Sequence, residues 1–326
     1  MIRRWLQWEF WPFWFFYIPI YLYWLWLALR ARSLLFFSAA NPLMELGGLM
    51  RYSKFEVLKR ISPELCPKMQ LLQPPFKEEV TLSFPLVAKP DKGERGRKVT
   101  KVDTPEELHR YLEAAREDII LQEMINLSLE FGVMYSRMPD AEKGKITSLM
   151  QREFLEVEGD GKHTVVELLT QDARKSRYVE KVQLHYPQKA QFVPAAGERC
   201  IIEPIGNHNR GTTFRDLNDQ ITPKLEASFD KISRPIEGFH FGRYDVKAAS
   251  FADLEAGNIQ VIELNGANSE PAHIYEPGFS IWKAYGVLFR HWTRLFKVSR
   301  ANHRRGVPYG SLREGIAHTR ARWRKK

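Results

Sequence analysis

The apolar positions of this chain fall into runs of strand length set between helical repeats. FPLVAKP (residues 84–90), DIILQEMI (118–125), LEFGVMYS (129–136) and ITSLMQREFLEV (146–157) are continuous or alternating apolar stretches that predict strands. DTPEELHRYLEAAR (103–116) predicts a helix: Thr104 is the cap, Pro105 suits the first turn, Glu107 completes a capping box, and Leu108, Leu112 and Ala115 share a face. After a Gly-Asp-Gly turn, Thr164 and Glu167 cap a second helix, VVELLTQDARK, and PKLEASFDKISRPI predicts a third. SKFEVLKRI (53–61) reads as a short helical lead-in, CPKMQLLQPPF (66–76) as a Pro-rich connection, and residues 185–222 as irregular. GRYDVKAASFADLEAGNIQVIELNG (242–266) holds two more β-like runs separated by a short Gly/Asn-containing segment. Helices and strands mixed without regular βαβ alternation predict an α+β protein of two lobes.

The ends of the chain differ from this middle. Residues 10–29 carry no charge and include 11 Phe, Trp or Tyr, with Arg3 and Arg4 before them and Arg30 and Arg32 after. As a helix of about 30 Å this stretch matches the hydrocarbon core of a bilayer. Pro12 and Pro19 interrupt it, and its Trp and Tyr favour the headgroup region, so a spanning helix, a shallow or re-entrant anchor and a buried soluble segment all stand. Membrane attachment is the expectation, with the globular part cytoplasmic and the N-terminal tether removable. The net charge of +10 is concentrated at the other end, where residues 290–326 hold 12 Lys/Arg and one acid, Glu314. Beside a membrane anchor, that tail is expected to meet anionic lipids, or to be solvated, more readily than nucleic acid, for which no motif appears. The expected organisation is an anchor at 1–38, a lead-in at 39–78, a globular domain at 79–290 and a basic tail at 291–326.

Two cysteines, Cys66 and Cys200, supply no disulfide framework, which makes a reducing compartment the default. The nine histidines show no metal-ligand spacing. The chemistry lies elsewhere. Along a strand Arg243 and Asp245 share a face, as do Glu263 and Asn265. If the two strands pair, three oxygen donors without evident counter-charge converge, a hard donor set suited to Mg²⁺ or Mn²⁺ alongside phosphate oxygens. Two edge strands with solvated charges would carry the same residues. Lys89 ends an apolar strand just before a loop containing Gly93 and Gly96, where an ammonium and backbone amides can approach a polyphosphate.

Taken in order, these segments resemble the ATP-grasp superfamily of ligases over roughly residues 50–280. FPLVAKPDKGERGRKV resembles the strand and glycine-rich flap of the D-alanine–D-alanine ligases, with Lys89 as phosphate-binding lysine. LQEMI resembles the hinge that meets adenine, which implies Gln122, Glu123 and Ile125 near the base, and LEFGV implies Glu130 at the ribose. GRYDV…VIELNG resembles the metal segment, implying Asp245, Glu263 and Asn265 as Mg²⁺ ligands and Arg243 as stabiliser of developing charge. EGDGKHTVVELL and GNHNRGTTF are similar to cyanophycin synthetase and its relatives, which implies Asn209 and Arg210 at phosphates or substrate. The earlier phosphate lysine of these ligases is matched only loosely, by Lys54 or Lys59. Their N-terminal substrate domain is replaced here by the hydrophobic segment, so substrate choice is expected to rest on residues 185–222 and NGANSEPAHIYEP.

The resemblance implies a membrane-anchored carboxylate–amine ligase that uses ATP and Mg²⁺ and passes through an acyl phosphate. A kinase of a small or lipid-linked substrate and a non-catalytic nucleotide sensor are the alternatives.

Overall fold

The computed structural model describes residues 8, 11–49, 51–93, 97–203 and 211–323. Its first helices are α1 (Phe13–Phe16), α2 (Ile18–Ala31) and α3 (Lys54–Leu58), the last capped by Ser53, whose Oγ accepts from Glu56 N. Next come β1 (Met69–Leu72), β2 (Leu86–Pro90), β3 (Thr100–Val102), α4 (Pro105–Ala114) and β4 (Ile119–Glu123). These four strands form one antiparallel sheet in the order β1-β4-β2-β3. Leu86, Ala88 and Leu121 point to one face, where Leu108 of α4 covers them. By strand alternation Lys89 and Gln122 face the other way. Strand β1 lies inside the segment expected to be a Pro-rich connection; its partner β4 is some 50 residues away, so no local pattern announced it.

β5 (Leu129–Ser136), β6 (Lys145–Glu153), β7 (Leu155–Glu158), α5 (Val165–Gln171), α6 (Val179–His185), α7 (Pro187–Ala190), β8 (Arg199–Glu203) and β9 (Thr213–Asp216) follow. Pairing of β7 with β8, backed by α5 to α7, makes a small unit around Val165, Leu169, Val182 and Ile202. The stretch expected to be irregular thus holds two strands, short and flanked by Pro or Gly, whose partners are distant in sequence.

α8 (Pro223–Ser233), β10 (Phe241–Ala248), α9 (Phe251–Ala256), β11 (Gln260–Asn265), α10 (Ile281–Arg304) and α11 (Leu312–Trp323) complete the chain. The segment between the last two strands is therefore a helix, capped by Ser250 on Asp253 N and ended by Gly257 at φ +81°. The second sheet has the order β11-β10-β5-β6-β9, all pairs antiparallel. Phe131, Val133, Leu149, Tyr244 and Val246 pack on one side against Leu225 and Phe229 of α8 and Val57 and Leu58 of α3. That leaves Glu130, Gly132, Met150, Arg152, Arg243 and Asp245 on the opposite side. Helices segregated onto antiparallel sheets make an α+β fold, as the pattern of the sequence predicts.

The expected membrane anchor is not found. No helix among the described residues is long and apolar enough to cross a membrane. The 14 residues of α2 reach about 21 Å, short of a hydrocarbon core of about 30 Å. One face of the aromatic segment is built into the domain. Leu27 and Ala28 pack with Phe36, Phe241, Leu295 and Phe296, and Phe16 and Ile20 with Leu288. The Tyr23 and Thr293 hydroxyls meet at 2.7 Å, and the Tyr285 hydroxyl donates to Phe16 O at 3.0 Å. Asn41 is wholly buried: its Nδ2 donates to Phe241 O at 2.7 Å and its Oδ1 accepts from Phe241 N at 2.9 Å, fastening the segment after α2 to β10. Apolarity on this face serves core packing, which the same composition does not distinguish from a bilayer, while Trp14, Leu22 and Leu29 on the other face stay exposed. The boundary expected at residue 290 falls inside α10, whose Leu295, Val298 and Asn302 are buried.

Candidate active site

The register of β10 on β11 sets Asp245 directly opposite Glu263 and Arg243 opposite Asn265, with a bulge between Asp245 and Val246. Like charges facing each other across an antiparallel pair destabilise it unless cations intervene. Here they do. Arg243 grips Asp245 with Nε on Oδ1 at 2.7 Å and Nη2 on Oδ2 at 3.2 Å. Arg152 adds Nη2 on Oδ2 at 2.9 Å, while its Nη1 pairs with Glu130 Oε1. Lys54 Nζ lies 2.9 Å from Glu263 Oε1. The expectation that the oxygen donors lack counter-charge is thereby overturned.

Each cation is placed by its element. Lys54 is the first residue of α3, and Asp91 at the end of β2 fixes that start by accepting from Phe55 N at 2.9 Å and from the Ser53 hydroxyl at 3.1 Å. Arg152 is the cross-strand partner of Glu130, and Asp245 lies one strand further over, opposite Gly132. Gly132 makes room for the Met150 side chain at this crossing: a Cβ there would overlap Met150 Cε and come within 3.3 Å of Arg243 Cδ. Lys89 Nζ reaches across from the other sheet and donates to Ile262 O at 3.3 Å. The sequence places Lys89 at the edge of a solvated flap, yet it is only 5% exposed. Tyr52, which the sequence did not single out, donates to Asn265 Oδ1 at 3.1 Å, and Asn265 Nδ2 donates to Asp245 Oδ2 at 3.3 Å.

Burial dominates the electrostatics. It pushes the Asp245 carboxyl up, but Arg152 and Arg243 outweigh it and hold its pKa below the ordinary value. Burial likewise works against Glu263, and Lys54 carries it the other way, again below the ordinary value. Lys89 is lowered to about 8, first by burial and then by Lys54, against the pull of Glu263. Beside this cluster Arg243 Nη1 donates to Glu270 O at 3.2 Å. The Glu270 carboxyl is raised to about 7 by burial, less a contribution from the Tyr275 hydroxyl; its Oε1 is sealed off with no hydrogen-bond partner.

Of the residues singled out in sequence, Lys54, Lys89, Arg243, Asp245, Glu263, Asn265 and Glu130 gather in this one cluster. Gln122 faces the same cleft from β4, and its buried Nε2 has no partner. Glu123 and Ile125 border a cavity of about 620 Å³ that runs along residues 123–127 toward Glu64 and Asn258. Gly93 closes a turn through Gly93 N to Pro90 O, 3.3 Å. Gly96, Asn209 and Arg210 lie outside the described residues. Arg152 was missed; its only signal was a lone cation on the polar phase of an alternating strand.

Among the described residues, no three His, Cys, Asp or Glu side chains gather as a metal site. Asp245 and Glu263 offer two carboxylates and Asn265 an amide oxygen. That set of hard oxygens fits Mg²⁺ or Mn²⁺ when phosphate and water complete the shell.

No protein-family model and no curated protein matches the chain. Among solved structures it is similar to D-alanine–D-alanine ligase from Bacillus anthracis, at 15% identity over 82% of this chain and 72% of that one, TM-score 0.46. For the same ligase complexed with ATP the values are 14%, 78%, 68% and 0.45. It is also similar to a bifunctional glutathione synthetase from Pasteurella multocida, at 17% identity over 73% of this chain but only 36% of that one, TM-score 0.37.

Proposed function

We propose that this chain is an ATP-dependent ligase of the ATP-grasp type, joining a carboxylate to an amine. The observation that carries the reading is a single cluster between two antiparallel sheets, with Lys54, Lys89, Arg152 and Arg243 set against Glu130, Asp245 and Glu263. So many buried ionised groups are costly to a fold even when paired, and such groups concentrate at functional sites. Four cations against three carboxylates leave an excess positive charge that suits a polyphosphate.

In this reading adenine meets the hinge at Gln122, Glu123 and Ile125, and Glu130 turns to the ribose. Lys89 and Lys54 move from Ile262 O and Glu263 to phosphate oxygens. Asp245, Glu263 and Asn265 are the residues that would hold Mg²⁺, which supplies charge neutralisation of the β- and γ-phosphates. The substrate carboxylate attacks the γ-phosphorus, the bond to the β-phosphate oxygen breaks, and ADP and an acyl phosphate result. An amine then attacks the carbonyl, phosphate leaves, and the amine loses a proton. Arg243 stabilises the oxyanion of that second step. No side-chain nucleophile is required. The catalytic unit takes in residues 11–78 and α10 along with 79–290, because they share its cores.

Hydroxylamine tests the reading, since it intercepts an acyl phosphate as a hydroxamate. Protein given ATP, Mg²⁺, hydroxylamine and a small-molecule cell extract should form a hydroxamate, with ADP and phosphate released together, and Arg243→Ala should largely abolish it while ATP still binds. Labelled phosphate on a stable product, with no hydroxamate, would instead establish a kinase. ATP bound without turnover across a broad set of extracts would point to a sensor.

A further inference from the structure

Asp245 Oδ2 is fully subscribed by protein donors: Arg152 at 2.9 Å, Arg243 at 3.2 Å and Asn265 at 3.3 Å. That oxygen has no lone pair left for a metal ion, whereas Oδ1 takes only Arg243 Nε at 2.7 Å. Arg152 also occupies Glu130, the residue assigned to the ribose. Its guanidinium therefore sits on two of the three carboxylates assigned to a metal–nucleotide complex, Glu263 being held by Lys54. Yet Arg152 is itself not satisfied, because its buried Nε has no hydrogen-bond partner. A guanidinium carries five donors and engages anions through paired N–H groups. An orphaned donor beside two occupied ones marks a group that gains bonds by moving onto a larger anion.

We propose that Arg152 is a displaceable internal counter-ion, which blocks Oδ2 of Asp245, and with it two-oxygen binding of a metal by that carboxylate, until a nucleotide draws its guanidinium onto phosphate oxygens. This rests on the ligase reading of the site and adds an order of assembly to it: nucleotide first, or together with the metal, never metal alone. Charge accounting points the same way. The cluster already holds one excess positive charge, and a divalent ion by itself would make it three in a buried setting. The nucleotide's phosphates reverse that balance before a metal is added.

Mn²⁺ binding followed by loss of its free-ion paramagnetic resonance signal tests the proposal without turnover. The unmodified protein should bind Mn²⁺ no better than at about millimolar concentration, and saturation with the non-hydrolysable analogue AMP-PNP should tighten this at least about tenfold. Arg152→Met should bind Mn²⁺ without nucleotide at least about tenfold more tightly than the unmodified protein, because the blocking cation is gone. Should that variant fail to fold with Glu130 left unpaired, Arg152→Met with Glu130→Gln removes both charges and retains the prediction. Tight Mn²⁺ binding by the unmodified protein without nucleotide overturns the proposal, as does an Arg152→Met affinity no better than that of the unmodified protein. If AMP-PNP binds to none of these proteins by calorimetry, the ligase reading fails, and the Arg152→Met comparison still decides whether this arginine shields Asp245.

Discussion

Lys89 Nζ and Ile262 O, 3.3 Å apart, join the end of β2 in one sheet to β11 in the other. This bond crosses the cleft between the sheets at the level of Glu263, and its donor is a lysine with a pKa lowered to about 8. The charge state of Lys89 is thus open to change within the range where proteins are handled.

Nucleotide binding should be coupled to that titration. Phosphate beside Lys89 favours the ammonium, so binding near pH 8.5 should take up a proton, and affinity should fall as pH rises above about 8. Calorimetry in buffers of different ionisation enthalpy measures the uptake. Lys89→Met should remove it and weaken binding about 10- to 100-fold, the loss of one charge-assisted phosphate contact. Stability runs the other way: between about 8 and the ordinary lysine value the unfolded chain binds more protons, so the fold gains stability as pH rises. Proton uptake undiminished in Lys89→Met would place the titrating group elsewhere.

Glu270 makes the opposite prediction. Its carboxyl is raised to about 7 by burial, so between its ordinary value and 7 the folded state binds more protons and stability falls as pH rises. Glu270→Gln keeps the shape and removes the charge. At pH 8 it should stabilise the protein by about 1–3 kcal/mol, and at pH 4 by almost nothing. Urea denaturation at the two pH values decides it; equal effects at both would mean that Glu270 is not a strained buried acid.

Gly132→Ala should destabilise by about 1–3 kcal/mol through overlap with Met150 and displacement of Arg243. Because Met150 is a flexible side chain, pairing the change with Met150→Ala should cost less than the sum of the two single changes. Thermal unfolding of the four proteins of that cycle gives the coupling. Strict additivity would show that the two residues do not share the space.

The buried face of the aromatic N-terminal segment should behave as core. Leu27→Ala should cost about 2–5 kcal/mol, as for a leucine buried among Phe36, Phe241, Leu295 and Phe296. Removing residues 1–32 should leave protein that fails to fold, not a freed catalytic domain. A truncated protein with full stability in denaturant would make α2 dispensable.

Local chemistry carried much of this protein in its sequence. Thr104, Thr164 and Thr222 stand where helices begin, because a side-chain oxygen must meet an unpaired amide there. The spacing of Arg243 with Asp245, and of Glu263 with Asn265, already required a shared face for each pair, since strand geometry has a period of two. Tertiary structure alone decided the rest. Opposition of Asp245 to Glu263 is a matter of register across an intervening helix. Arg152 joins the cluster because β6 packs beside β5 and β5 beside β10, a relation between residues far apart in the chain. The fate of the aromatic segment's buried face was likewise beyond local reading: apolar side chains are driven out of water whether lipid or protein receives them, and α10, residues 35–48 and Phe241 of β10, folded against α2, provide the protein.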